Sequence, residues 1–234
     1  MKKLFILLSF LFMVSNLQSQ ILISLLLGDK LNSEGLEFGL EGGINWTNIS
    51  GMETSDLARR WNMGFYFDIR LKNQWFLYTG VLVKANMGVD KLTENDLIFL
   101  NVLTYPEEGD YSQKMNSFLV PALAKYKFKN HLYVEAGPQF GLMYNSWVEF
   151  ESNIDDRDAI IKEYNKEMIN RLDVGFMFGT GYTLFKGTGW TFGAKYYYGF
   201  VDVYKDRTGT KNSSIFLKLN IPIGAGEKPN KQKE

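Results

Sequence analysis

VGFMFGTGYTLFKGTGWTFGAKYYYGF, residues 174–200, alternates with a period of two. Val174, Phe176, Phe178, Tyr182, Leu184, Trp190, Phe192, Tyr196, Tyr198 and Phe200 fall on one face. Asp173, Gly175, Gly179, Gly181, Thr191, Gly193, Lys195 and Gly199 fall on the other. That is the repeat of a β-strand, whose successive side chains point to opposite faces. Lys186-Gly187-Thr188-Gly189 interrupts it and predicts a hairpin. The apolar face must meet either a protein core or lipid, and the rest of the chain discriminates between the two.

The same alternation predicts eight strands, at 36–46, 61–71, 75–88, 115–129, 132–147, 171–186, 190–203 and 212–222. Connections after the second, fourth and sixth strands are short. Those after the first, third, fifth and seventh (47–60, 89–114, 148–170 and 204–211) are longer. Strict alternation of short and long places all turns at one end of an up-and-down barrel and all loops at the other, the pattern of outer-membrane barrels. The charged residues share a face with most strand glycines, while nearly every Phe, Trp and Leu lies opposite. A lipocalin-like soluble barrel would need that bulk inside, and an eight-stranded lumen has little room for it. Trp46, Trp61 and Trp147 fall at the long-loop end and Trp75 and Trp190 at the short-turn end, as two membrane-interface girdles would. The expected architecture is an all-β, eight-stranded antiparallel up-and-down transmembrane β-barrel with short periplasmic turns and long extracellular loops.

The N-terminus reads as an export signal. Lys2-Lys3 precedes an apolar run over 4–14, and Ser19-Gln20 offers a cleavage point. An uncleaved anchor continuing through 21–27 is the alternative, but Asn16, Gln18, Ser19 and Gln20 interrupt that run. The expected organisation is a signal peptide (1–19), a periplasmic segment (20–35), the barrel (36–222) and a disordered periplasmic tail (223–234). Segment 21–35 either caps the periplasmic mouth, or lies on the leaflet, or docks a partner. The chain has no cysteine, which excludes disulfides and thiolate sites, and its formal charge is zero with no basic block for nucleic acid.

The inner face carries Glu37, Glu41, Asp68, Glu135 and Asp173 against Arg70, Lys84, Lys125, Lys127, Lys195 and Lys218. Charges in a narrow interior demand partners. They predict an ion-pair network that plugs the lumen, with a proton or ion path as the other reading. Leu97-Ile98-Phe99-Leu100 in loop 89–114 predicts an extension above the membrane or a partner contact. Ile160, Ile161, Tyr164 and Met168 in loop 148–170 are spaced as on a helix face. Asp155, Asp156 and Asp158 lack the EF-hand pattern and read as solvated loop acids or a weak calcium site. His131 is the sole histidine and has no serine or second ligand beside it. The residues therefore predict no enzyme activity, no cofactor and no metal centre.

NSFLVPALAKYKFKNHLYVEAGPQFGLMYN (116–145), KYYYGFVDV (195–203) and LLLGDKLNSEGLEFGLEGGINW (25–46) resemble the PorT-like outer-membrane β-barrel proteins of the Bacteroidetes. The resemblance spans roughly 25–222 and implies a link to protein secretion through the type IX system. The partners expected are outer-membrane lipid, with secretion or uptake subunits implied by the resemblance, and the barrel is expected to be monomeric. The function expected is a structural or loop-mediated binding role, with an accessory role in a secretion or uptake complex as the alternative.

Overall fold

The hairpin quoted above pairs Gly175–Thr183 with Thr191–Gly199 in unbroken antiparallel register. In the computed structural model, which describes residues 35–154, 157–187 and 189–223, it is one side of a closed ring. The strands are β1 (Leu36–Ile49), β2 (Ala58–Lys72), β3 (Trp75–Val89), β4 (Asp110–Lys127), β5 (Leu132–Ile154), β6 (Arg157–Tyr164), β7 (Leu172–Thr183), β8 (Thr191–Asp202) and β9 (Lys211–Pro222). Neighbours follow the order β4-β3-β2-β1-β9-β8-β7-β5, and β4 pairs with β5 to close the ring. Eight strands thus make an antiparallel barrel without a free edge. The expected segments 1–19 and 20–34, the tail 224–234, and Asp155 and Asp156 lie outside the described residues.

The ninth strand corrects the reading of loop 148–170. Instead of a helix, β6 pairs with the upper part of β5, from Trp147↔Tyr164 to Ile154↔Arg157. Lower down, β5 pairs with β7 through Leu132–Leu142, and β4 runs along its other edge nearly throughout. The β5–β6 hairpin therefore rises beyond the ring. Only a single turn of 3₁₀ helix, Lys166–Met168, follows it. The short connections are tight: Asn73 and His131 adopt φ of 52° and 69°. After β7 the chain makes a helical turn, Leu184–Gly187, where strand had been expected to continue.

The outward face is apolar. Phe176, Phe178, Phe192, Tyr196 and Tyr198 are each between 44% and 55% exposed, whereas Tyr197 between them is 1% exposed and points inward. The interior is bulkier than the glycine pattern implied. Tyr66, Tyr78, Tyr133 and Tyr197 fill it, together with Leu82, Leu119, Leu123, Met177 and Phe216. Inner-face glycines make the room: a Cβ on Gly181 or Gly193 would strike the Tyr133 hydroxyl, and one on Gly175 the Tyr197 ring. The lumen is thus packed by tyrosines set opposite glycines.

Two bulges shift the inward–outward parity. Between Leu82↔Leu119 and Ala85↔Ser117, β3 carries one residue more than β4. Above it, Ala85, Met87 and Val89 face in. Met87, which unbroken alternation from Trp75 would put on the lipid face, is therefore internal, and Lys84, expected in the lumen, turns outward over the Trp61 ring, 4.0 Å from its centroid. On β5 the register steps from Met143↔Ser117 to Asn145↔Asn116, so Tyr144 is the extra residue. Ser146, not Asn145, then takes the inner position and is fully buried.

The loops form a packed crown. Helix α1 (Glu94–Leu100) starts at a capping box, in which the Thr93 hydroxyl accepts from the Asp96 N–H and the Asp96 carboxylate accepts from the Thr93 N–H. Asn101 ends it in the left-handed region, with φ 52°. The helix buries Leu97 and Leu100 in a cluster with Met87, Met115, Met143, Val148, Ile169 and Tyr204, which seals the top of the barrel.

Candidate functional site

The lower lumen holds an ion-pair layer whose partners mostly reach across the ring between strands that are not neighbours. Asp68 on β2 accepts from Lys125 and Lys127 on β4, both at 2.8 Å. Lys125 also lies 3.9 Å from Glu135 on β5, which pairs with Lys218 of β9 at 2.7 Å. Lys195 on β8 meets Glu41 on β1 at 2.6 Å. The Tyr78 hydroxyl donates to Glu41 and accepts from the Asn220 amide at 3.1 Å. Tyr78 is also the layer's floor for cations, since the Lys218 ammonium sits 3.9 Å from its ring centroid and Lys125 4.8 Å. Side chains of Asp68, Lys125, Glu135, Lys195, Glu41 and Lys218 are at most 2% exposed. Charges this dry are costly without compensation, and each is set against an opposite partner, the buried ammonium groups also lying over aromatic rings.

Four of the eleven expected lumen residues stand outside this ion-pair layer. Glu37 stands toward the short-turn mouth and accepts from the Tyr66 hydroxyl at 2.9 Å. Arg70 is exposed near the same mouth, 5.4 Å from the Phe76 ring that Lys127 also covers. Asp173 sits higher, taking a hydrogen bond from Asn212 at 2.9 Å. Lys84 is outside, because the β3 bulge reverses it. Of the tryptophans, Trp46, Trp61 and Trp147 stand toward the long loops and Trp75 and Trp190 toward the short turns. Trp75 packs edge-on against Tyr126 at 5.0 Å.

Above the ion-pair layer the interior turns apolar. A cavity lined by Met87, Met115, Leu119, Met143 and Asp173 encloses about 20 Å³, room for about one water. Asp96 then ties three loops together. Its carboxylate accepts from the backbone N–H groups of Glu53 at 2.9 Å and Thr54 at 3.0 Å, and Arg207 lies 3.9 Å away. Arg207 also covers Phe99, which packs edge-on against Tyr204. A second buried knot joins Gln113, Ser146 and Asn165, with the Tyr204 hydroxyl 3.2 Å from Gln113. The sequence reading missed Asp96, although Thr93-x-x-Asp96 is a readable capping signal. Nothing in the local sequence flagged the Gln113 knot, since its members come from strands β4 and β5 and from the segments after β6 and β8.

The arrangement offers little for catalysis. His131 stands in a short turn, edge-on to Tyr182 at 6.3 Å. Among the described residues no group of three His, Cys, Asp or Glu side chains is placed to hold a metal ion.

Comparison with solved structures returns outer-membrane barrels at low identity. The attachment invasion locus protein Ail of Yersinia pestis is 12% identical, covers 82% of this chain and 100% of its own, and has a TM-score of 0.41. Neisserial surface protein A is 10% identical, covering 80% and 97%, with a TM-score of 0.40. OprG of Pseudomonas aeruginosa is 10% identical, covering 80% and 91%, with a TM-score of 0.33. No curated protein matches the chain in sequence. A family model, however, matches residues 18–205, most of the chain and the greater part of the ring just described. The chain belongs to the outer membrane protein beta-barrel domain family.

Proposed function

We propose that this outer-membrane barrel is a non-conducting, non-enzymatic anchor that acts by binding through its crown. Export would remove residues 1–19, and the tryptophans at the two ends would mark the two membrane interfaces. The carrying observation is the double seal: a paired, buried charge layer at the bottom of the lumen and an apolar layer beneath α1 at the top. A barrel whose interior is filled has its loops and outer wall left to do work. The crown suits that role because Asp96 and the Gln113 knot hold it in one shape before any ligand arrives, which lowers the ordering cost of binding.

Purified protein reconstituted in a planar bilayer tests this. We expect no stepwise conductance. Steady channels from folded, SDS-resistant protein would overturn the sealed-lumen reading and revive the ion path. One feature supports the accessory role in a secretion or uptake complex: Ile98 and Leu103, both in the β3–β4 connection, stand 71% and 67% exposed on the crown. Stoichiometric recovery of such subunits from native membranes in mild detergent, lost on Ile98→Asp, would favour that reading over a free-standing binder.

A further inference from the structure

On the outer wall at the long-loop end, strands β1 to β5 enclose a notch of about 470 Å³ lined by Ile44, Arg59, Arg60, Trp61, Asn86, Lys114, Asn116 and Trp147. Lys84 lies over the Trp61 ring at 4.0 Å and Lys162 over the Trp147 ring at 5.3 Å, so the notch is rimmed by cations resting on indoles. This wall faces away from the lumen, where a lone cation is costly unless it reaches headgroups. The level is right for that. From Trp75 at the short-turn end to Asn86 in β3, a rise of roughly 3.3 Å per residue at roughly 40° tilt gives about 28 Å, close to the height of a barrel's apolar band. The notch thus sits where the outer-leaflet headgroups begin.

Charge and hydrogen-bonding capacity say what fits. Two carboxylates lie among the cations: Asp90 is held by Arg60, and Glu149 by Lys114 and by Lys162 at 3.5 Å. Arg59 and Lys84 have no ion pair among the described residues. Asp110 and Glu151, paired further up the β5 hairpin, bound the basic patch on its water side. Asn86 and Asn116 face each other in register at outward positions, amides where the rest of the wall is apolar. Asn86 Oδ1 is buried without a hydrogen-bond partner, an acceptor that a small side-chain rotation would turn to a ligand.

We propose that this notch binds the phosphorylated sugar headgroup of a glycolipid in the outer leaflet, with Arg59, Lys84 and Lys114 taking phosphate and Asn86 and Asn116 taking sugar hydroxyls. It rests on the outward orientation of the long loops adopted above. The cations supply charge-assisted bonds to phosphate, and Trp61 and Trp147 lie where acyl chains meet headgroups.

The test uses the full-length protein in detergent, with retained lipid read by native mass spectrometry. The probes are diphosphorylated lipid A, its dephosphorylated form, and inorganic phosphate alone. Wild type should hold the diphosphorylated lipid at least tenfold more tightly than the dephosphorylated one, and Arg59→Gln or Lys84→Gln should each weaken it roughly tenfold. Heat-modifiable gel mobility confirms that each variant is folded. Equal retention of both lipids, or unchanged binding by both folded variants, overturns the proposal. Binding of inorganic phosphate as tight as that of the lipid also overturns it, and assigns a free-anion site instead. Surface proteolysis of intact cells tests the orientation separately: cleavage of the crown from outside leaves the orientation standing even where lipid binding fails.

Discussion

Replacing Glu135 by leucine removes the carboxylate that Lys218 contacts at 2.7 Å and Lys125 at 3.9 Å. Both ammonium groups are nearly inaccessible to water, with side chains 1% exposed. Lys125 keeps Asp68, but Lys218 is left without an ion pair, with the rings of Tyr78 and Tyr133 and the more distant charge of Glu41. Breaking a buried pair from one side costs about 3–5 kcal/mol, chiefly the penalty of the stranded charge. Removing the partner as well should return most of that loss, because an apolar pair of similar volume has no charge to desolvate. Urea unfolding in micelles, followed by tryptophan fluorescence, reads it. With a slope of about 2 kcal/mol per molar, Glu135→Leu should lower the midpoint by about 1.5–2.5 M. Glu135→Leu with Lys218→Met should recover at least half of the shift. A single variant within about 0.3 M of wild type would refute the reasoning, since it would mean that water reaches Lys218 and the lumen is open.

Three further outcomes follow from the same geometry. Gly193→Ala places a methyl against the Tyr133 hydroxyl and should cost about 1–3 kcal/mol in the same unfolding assay, with partial rescue by Tyr133→Phe. Asp96→Ala leaves the Glu53 and Thr54 N–H groups unpaired; it should destabilise the crown by about 1–3 kcal/mol and speed tryptic cleavage at Lys91 and Arg207, while SDS resistance of the barrel persists. Burial alone would raise the Glu149 carboxyl, but hydrogen bonds from Lys114 and Trp147 and the charges of Lys114 and Lys162 outweigh it and hold it below the usual carboxylate range. A depressed folded-state value stabilises above the unfolded value and is lost as pH falls through the folded one. Protease resistance of the β5–β6 hairpin should therefore stay flat from neutral pH down to the ordinary carboxylate value, begin to fall there and reach its floor only below the depressed folded value, and a loss already complete near pH 5 would count against the pairing.

The ring was legible because a closed barrel repeats one rule. Every strand from β1 to β9 that lies in the ring alternates, and turn lengths separate the two ends. The crown was legible only in pieces. Ile160, Ile161, Tyr164 and Met168 match a helical spacing, yet β5 continues past the membrane and offers its free edge at Trp147–Ile154, so the chain pairs with that edge. Tertiary context thus outweighs a four-residue pattern. Interior bulk was misjudged for a related reason: alternation shows which face a tyrosine is on, but not that glycines across the ring, such as Gly181 and Gly193 opposite Tyr133, have cleared space for it.

The reversal of Lys84 links these limits to function. A bulge adds one residue to one strand and flips every side chain beyond it, with no compositional mark. Without the bulge between Leu82 and Ala85, Lys84 and Asn86 would enter the lumen, and Met87 would face lipid. With it, the upper lumen receives Ala85, Met87 and Val89, which build the apolar seal, and the outer wall receives Lys84 and Asn86, which build the notch. One inserted residue therefore places apolar side chains in the upper lumen and polar ones on the outer wall together. Deleting Val83 or Lys84 should undo both at once, exposing methionine to lipid and drawing polar side chains into the seal. A variant lacking only the bulge that still folds, stays non-conducting and keeps the headgroup preference would separate the two roles and show that the parity shift serves neither.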